Sequence, residues 1–442
     1  MKLNLLILLS IILTTSCVTE QKGEKQLLNF VLIMADDLGY GDISCYGNKT
    51  INTPNIDRLA AEGIRFADFH SNGPVCSPTR AALMTGKYQQ RTGVGGVITA
   101  ASHRHVGMNI NEITIADELK QYGYTTGIFG KWHLGYPAKY NPSLQGFDEF
   151  VGYVSGNVDF HAHIDQEGYL DWWNDTVINN EPGYTTDLIT EYGIDFIKRN
   201  SNKPFFLYLP HEAPHSPYQR RIDKVLREVG KKGTAKVPND SIPGIYKEMV
   251  EVMDEGIGRI MQTLKETGVD KNTVVIFCSD NGANKNGNNG GLRGFKGGVY
   301  EGGHRVPAIT WYPGKVEAGT ETSQPVLTMD ILPTMLDLIE AKPSGANIDG
   351  ISIKNLLLTG EQLPERDLYW SFKNKNAIRS GDWKLVSITS ESNETVELFN
   401  IAEDISEANN LAEKHPELVK SLKQKLEYWD KSVNEGVNIV SD

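Results

Sequence analysis

Five apolar runs constrain the fold of this chain more than any other feature: Phe30–Met34, Thr125–Phe129, Phe205–Leu209, Val274–Cys278 and Ala308–Trp311. They read as buried strands of a mainly parallel sheet, which shows continuous hydrophobic stretches rather than clean alternation. Helical patterns fall between them, over 54–62, 114–121, 186–199 and 245–267. The first starts at a proline, the second starts at Thr114 and stops before Gly123, and the last stops before Gly268. Strands alternating with helices predict an α/β architecture, a large mostly parallel sheet sandwiched by helices. Such sheets place their sites beyond the carboxyl ends of the strands, and polar residues cluster there in this chain.

Beyond about residue 365 the character changes. Residues 367–372, 383–388 and 396–400 read as antiparallel strands, and a Lys-, Leu- and Glu-rich helix spans about 415–430. The expected organisation is a domain over 27–364 and a smaller C-terminal α+β subdomain over 365–442. The stretch Asn281–Gly303 is dense in Gly and Asn and reads as a loop.

The other terminus reads as an export signal over 1–16: Met1-Lys2, an apolar stretch Leu3–Leu13, then Thr14-Thr15-Ser16 before Cys17. The apolar stretch is too short to span a membrane. Cys17 resembles a bacterial lipoprotein acceptor, with polar residues 17–26 as a tether; plain cleavage near Ser16 is the alternative. The expected location is therefore the periplasm, outer membrane or cell surface, with membrane contact only through the anchor. Four cysteines in 442 residues argue against a disulfide framework; Cys45 and Cys278 read as buried thiols, with a Cys45–Cys278 bridge as the alternative. A net charge of −12 argues against a polyanion-binding surface over the whole protein. An anionic ligand must be met by a local cluster of cations, and no nucleic-acid-binding motif is present.

Several short motifs supply such a cluster. Cys76-Ser77-Pro78-Thr79-Arg80 opens a helical run, and Pro78 suits its first turn. Cys76 then sits at a helix N-terminus, where partial positive charge favours anions, and Arg80 follows one turn on. Asp36-Asp37 follows the first strand and Asp280-Asn281 follows another, a hard oxygen set suited to Ca²⁺ or Mg²⁺. Lys131 and His133 end a buried strand two residues apart, so both side chains can enter one pocket. His211 and His215 follow a third strand in a segment that three prolines hold extended. Lys296 sits among glycines, where backbone can approach an anion closely.

In their joint order these residues resemble the formylglycine-dependent (type I) sulfatases of the alkaline-phosphatase-like superfamily, from about Asn29 to Leu411, including the closing phrase Glu397–Asn400 to Asn409–Leu411. The resemblance, closest to bacterial exported carbohydrate sulfatases, implies the following roles. A formylglycine-generating or anaerobic sulfatase-maturating enzyme oxidises Cys76 to formylglycine, whose hydrate is the nucleophile. Asp36, Asp37, Asp280 and Asn281 bind Ca²⁺ together with an oxygen of modified Cys76. Arg80 steadies the hydrate, and Lys131 and Lys296 grip sulfate oxygens. His133 takes a proton from the second hydroxyl, and His215 sits near the leaving oxygen. Ser155 is a weaker carry-over, and His211 has no firm counterpart.

The set suits sulfate-ester hydrolysis. The anionic ester must be neutralised before a nucleophile approaches. A gem-diol offers an internal exit from the covalent intermediate that a plain Ser or Cys lacks. His161, His163 and Asp165, followed by Trp172-Trp173, form a candidate carbohydrate patch, and His103, Arg104, His105 and Arg293 are candidates for further anionic groups. The expected substrate is a sulfated polysaccharide or oligosaccharide fragment. Two rivals stand beside this reading: a phosphodiester or phosphonate monoester hydrolase of the same superfamily, and a non-catalytic surface glycan-binding protein.

Overall fold

A computed structural model describes residues 27–345, 347–391 and 393–440. The expected signal, tether and Cys17 anchor lie outside the described residues. The strands are, in chain order, β1 (Asn29–Ala35), β2 (Ile64–Phe66), β3 (Phe69–His70), β4 (Thr125–Lys131), β5 (Glu149–Tyr153), β6 (Trp173–Asn174), β7 (Val177–Ile178), β8 (Phe205–Pro210), β9 (Thr273–Ser279), β10 (Ala308–Trp311), β11 (Thr320–Thr322), β12 (Val326–Leu327), β13 (Asp367–Phe372), β14 (Lys375–Ser380), β15 (Trp383–Ser390) and β16 (Asn393–Asn400). The helices are α1 (Pro54–Ala61), α2 (Cys76–Thr85), α3 (Ile115–Lys120), α4 (Thr185–Asn200), α5 (Ile242–Glu266), α6 (Glu301–His304), α7 (Ile331–Leu338), α8 (Lys354–Thr359) and α9 (Pro416–Asn434).

Ten strands form one sheet in the order β11-β2-β10-β9-β1-β8-β4-β5-β6-β7. Its centre, from β9 to β5, is parallel. β10, one of the five apolar runs, lies antiparallel to β9 and β2. Alternate residues of β1 feed two separate cores, as the strand period requires. Phe30, Leu32 and Met34 pack with Leu83 of α2, Leu119 of α3 and Met335 of α7. Val31, Ile33 and Ala35 pack with Leu59 of α1, Phe196 of α4 and Met253 of α5. The result is a sheet between two helical layers, as the alternating pattern predicts.

The C-terminal sheet has four strands in the order β13-β14-β15-β16, all antiparallel. β14, Lys-Asn-Ala-Ile-Arg-Ser, is the strand the sequence reading did not find. Its polar ends hide the short apolar centre Ala377-Ile378, which packs with Trp370, Leu398 and Trp429 in a third core. That core also takes in Ala82 of α2, Val299 and Leu327, so it joins the small sheet to the large domain.

Local signals explain most boundaries. α3 starts at a capping box in which Thr114 and Asp117 satisfy each other's backbone N–H groups. α2 ends at Gly86 in a left-handed conformation. Cys45, Cys76 and Cys278 are free.

Candidate active site

The parallel register sets the site. Ala35 of β1 lies opposite Ser279 of β9, so the residues that follow, Asp36-Asp37 and Asp280-Asn281, emerge side by side. Met34 lies opposite Pro210 of β8, which brings the 211–215 segment to the same end of the sheet. Lys131 closes β4 there as well. The N-terminus of α2 delivers Cys76 above these strand ends, and every residue of α2 is buried.

Sequence-distant groups thus meet within hydrogen-bonding distance. Lys131 Nζ lies 2.6 Å from Asp36 Oδ2. Lys296 Nζ lies 2.6 Å from Asp37 Oδ1 and 3.2 Å from Cys76 Sγ. Cys76 Sγ is 3.6 Å from Asp36 Oδ1. The Arg80 guanidinium donates to Asp280 Oδ2 through Nη2 at 2.8 Å and Nε at 3.2 Å, and to the Lys131 carbonyl at 3.2 Å. Asn281 Nδ2 donates to Asp37 Oδ1 at 2.7 Å, and His215 Nε2 lies 3.7 Å from Asp37 Oδ2. Three carboxylates and three cations therefore share one largely buried centre. Two of its residues carry uncommon backbone angles: Asp37 has φ 64° and His133 φ 60°. Non-glycine residues in this region concentrate at functional sites, where surrounding structure over-determines them.

Electrostatics follow from this crowding. Burial alone would raise the Asp37 carboxyl, but the charges of Lys296 and His215 outweigh it and hold it well below the usual carboxylate range. Burial pushes the Cys76 thiol up to about 12 against the pull of Lys131 and Lys296. Cys76 as an unmodified thiol is therefore not a thiolate at neutral pH, and a poor nucleophile as it stands. Burial, and then the charges of Lys131 and Arg80, hold the His133 imidazole well below its ordinary value, hence neutral. His133 Nε2 lies 3.0 Å from the Ile98 carbonyl, which assigns the proton to Nε2. Nδ1 is buried and has no hydrogen-bond partner among the described residues.

Asp36, Asp37, Cys76 and His215 offer ligand atoms all within 4.8 Å of one another. Asn281 Oδ1 is buried and has no hydrogen-bond partner among the described residues. An orphaned amide oxygen next to three buried carboxylates is a donor set that fits a hard cation.

The remaining sequence candidates divide. Ser155 lines the same cleft as Cys76, His133, His215 and Lys296. His161, His163, Asp165, His211 and Arg293 do not. His163 is buried and stacks on Trp172 with ring centroids 4.4 Å apart. Asp165 is buried and ion-paired with Arg104, and His161 faces the Arg220 carbonyl at 2.9 Å. His211 is buried, with its backbone N–H on Met34. Arg293 is ion-paired with Glu397 and donates to the Glu407 carbonyl. Trp172 packs in the core, and His103 Nδ1 meets Thr99 Oγ1 at 3.1 Å. The patch reads as recognition in sequence because aromatic faces and polar side chains occur together; in space they are taken up by burial and by partners outside the cleft. The segment after β8 is not extended as its prolines predict, but turns, with His215 N–H on the Glu212 carbonyl at 2.8 Å.

Sequence reading missed the clamp on the Lys296 loop. Lys375 of β14 donates to the Gly297 carbonyl at 2.7 Å, and Gly297 N–H donates to the Pro74 carbonyl at 2.8 Å. Lys384 of β15, wholly buried, bridges Glu301 at 2.8 Å and Glu407 at 2.9 Å. Nothing in the local sequence marks these lysines, because Gly297 and Glu301 lie some eighty residues before them and Glu407 lies beyond the strand that follows.

Comparison with known proteins places this geometry. The family described as Sulfatase matches residues 28–341, and the one described as N-sulphoglucosamine sulphohydrolase, C-terminal, matches residues 295–432. N-acetylgalactosamine-6-sulfatase of Mus musculus is 34% identical over 388 residues, which cover 82% of this chain and 72% of that protein. Arylsulfatase A of Homo sapiens is 30% identical, covering 90% of this chain and 86% of the relative. The crystal structure of Ps i-CgsB in complex with k-i-k-neocarrahexaose superposes with a TM-score of 0.83 at 30% identity, over 94% of this chain and 95% of that one.

Proposed function

The chain belongs to the sulfatase family, and from that premise we propose that it hydrolyses sulfate esters of carbohydrates through a formylglycine made from Cys76, beside a bound Ca²⁺. The observation that carries the reading is the placement of Cys76: at the N-terminus of a buried helix, 3.2 Å from Lys296 and 3.6 Å from Asp36. Its sulfur stands where an oxygen of the modified residue would stand. Relatives named for N-acetylgalactosamine-6-sulfate and a neighbour solved with a carrageenan-type hexaose support a carbohydrate substrate.

The residues divide the work. Lys131, Lys296 and Arg80, with the α2 N-terminus, neutralise the sulfate oxygens in a buried centre where such contacts are strongest. Asp36, Asp37, Asp280 and Asn281 would hold Ca²⁺, with Mg²⁺ the other cation this oxygen set admits; the ion supplies Lewis-acid polarisation when bound. Maturation of Cys76 supplies a hydrated aldehyde as nucleophile, with an internal exit from the covalent stage. Neutral His133 accepts a proton at Nδ1, since its Nε2 proton is held by Ile98. His215, on the wall of the same cleft, would serve the leaving oxygen. Export and lipidation at Cys17 complete the proposal. The described chain enters β1 with the Leu27 and Leu28 carbonyls held by Asn272 and Tyr124, at the end of the sheet away from the site.

Peptide mass spectrometry across Cys76, on protein made with a maturation enzyme, tests the reading. Conversion lowers the mass by on the order of 18 Da, the difference between thiol and aldehyde. Converted protein releases sulfate from sulfated oligosaccharides, and Cys76→Ala loses this by roughly a thousandfold or more. A persistent thiol under those conditions, with no sulfate release, sinks the proposal. Chelation with EGTA is expected to lower both activity and melting temperature, with Ca²⁺ restoring both.

A further inference from the structure

The cleft above Cys76 runs outward between two walls. One is Val97–Ala100; the other brings Tyr136, Ser155, Asn157 and Gln166. Apart from His133, His215 and Lys296, which belong to the reacting centre, no side chain lining the cleft is charged.

Two arginines beside the cleft are already engaged. The Arg104 guanidinium sits 4.8 Å from the Tyr136 ring centre and 4.2 Å from that of Tyr169, and it is ion-paired with Asp165. Arg227 is buried and donates to the Asn157 carbonyl at 3.2 Å, to the Ile164 carbonyl at 3.0 Å, and to Asn157 Oδ1. The Arg227 contact fixes which end of the Asn157 amide is the oxygen, and the other end is an NH₂ donor. Gln166 is exposed and brings a second carboxamide.

We infer that this cleft takes an uncharged sugar residue bearing a single sulfate, and that Asn157 and Gln166 recognise its hydroxyl or acetamido oxygens; the inference rests on the sulfatase reading above. A carboxylate or second sulfate on the same sugar would be desolvated against Val97, Ile98 and Tyr136 with no cation to meet it, which is costly. The net charge of −12 adds long-range repulsion for highly anionic chains. Neutral hydroxyls meet carboxamides without that penalty. Arg227 acts as a positioning residue, holding the Asn157 amide in one orientation.

The test compares sulfate release by the full chain, with Cys76 shown by mass spectrometry to be converted. Galactose 6-sulfate and N-acetylgalactosamine 6-sulfate are the neutral probes; iduronate 2-sulfate and glucosamine N,6-disulfate are the charged ones. The expected result is a kcat/KM at least about tenfold higher on one of the neutral probes than on either charged one. Asn157→Ala and Gln166→Ala are expected to raise KM on the preferred probe several-fold with kcat nearly kept, the mark of lost binding rather than lost chemistry. Gln166→Arg is expected to narrow the gap between neutral and charged probes. Equal or faster release from the charged probes overturns this inference and leaves the sulfatase reading standing. Unchanged KM in both alanine variants overturns the assignment to Asn157 and Gln166. Converted protein that releases sulfate from none of these probes, nor from longer sulfated oligosaccharides, removes the carbohydrate-sulfatase reading and this inference with it.

Discussion

Gly303 shows how little slack the site has at the scale of single residues. A Cβ placed there would lie 1.8 Å from the Gly298 carbonyl oxygen, so any larger residue forces the backbone of the Lys296 loop to move. The loop fixes Lys296 Nζ between Cys76 and Asp37, and a shift of about 1 Å in a charge this close to the reacting atoms is costly. Gly303→Ala is therefore expected to lower kcat/KM by roughly tenfold to a hundredfold, and to lower the melting temperature by a few degrees through about 1–3 kcal/mol of overpacking. Steady-state kinetics and thermal melts on the same preparation check both. Wild-type activity in this variant would mean that the loop relaxes without moving Lys296.

Elements build the site by converging on it from two domains. β1, β4, β8 and β9 bring the acids, Lys131 and the histidines, because a parallel sheet ends its strands on one edge. The small sheet contributes as well, where Lys375 of β14 holds the Gly297 carbonyl while the N–H of the same residue holds Pro74, two residues before Cys76. One residue thus ties the start of α2, the Lys296 loop and the C-terminal sheet together. Lys375→Met keeps the length of the side chain and removes the donor. It is expected to cost about 1.5–3 kcal/mol of hydrogen bonding at the loop, read as a tenfold or greater fall in kcat/KM together with a melting temperature lower by a few degrees. Lys375→Arg retains a donor and is expected to recover much of the activity. Equal losses in the two variants would show that Lys375 acts by packing alone.

The whole molecule carries buried histidines that face acid with a definite sign. Burial lowers His163 to about 4, against the pull of Asp159, and lowers His211 to about 3. Their unfolded value is about 6.5, so between pH 6.5 and 4 the unfolded chain binds more protons than the folded one. Stability therefore rises with pH across this window and is lost as pH falls, by up to about 1.4 kcal/mol per pH unit for each histidine. Urea unfolding at pH 7 and pH 5 should show the midpoint falling; an equal midpoint at both would mean that these rings titrate normally. The sequence by itself determined the layering and the motif set. Buried strands need unbroken apolar runs, and Cys76, Arg80, the two acid pairs, Lys131, His133, His215 and Lys296 each sit beside a strand end, helix start or glycine-rich turn that local chemistry makes visible. Tertiary structure alone decided which polar residues face the cleft. His163, Asp165, His211 and Arg293 look like ligand contacts in sequence, yet each is consumed by a partner or by burial. Lys375 and Asn157 look like surface, yet one clamps the loop and the other lines the pocket. The physical reason is that a polar side chain's role depends on whether its hydrogen bonds and charge are already met, and those partners lie tens to hundreds of residues away in the chain.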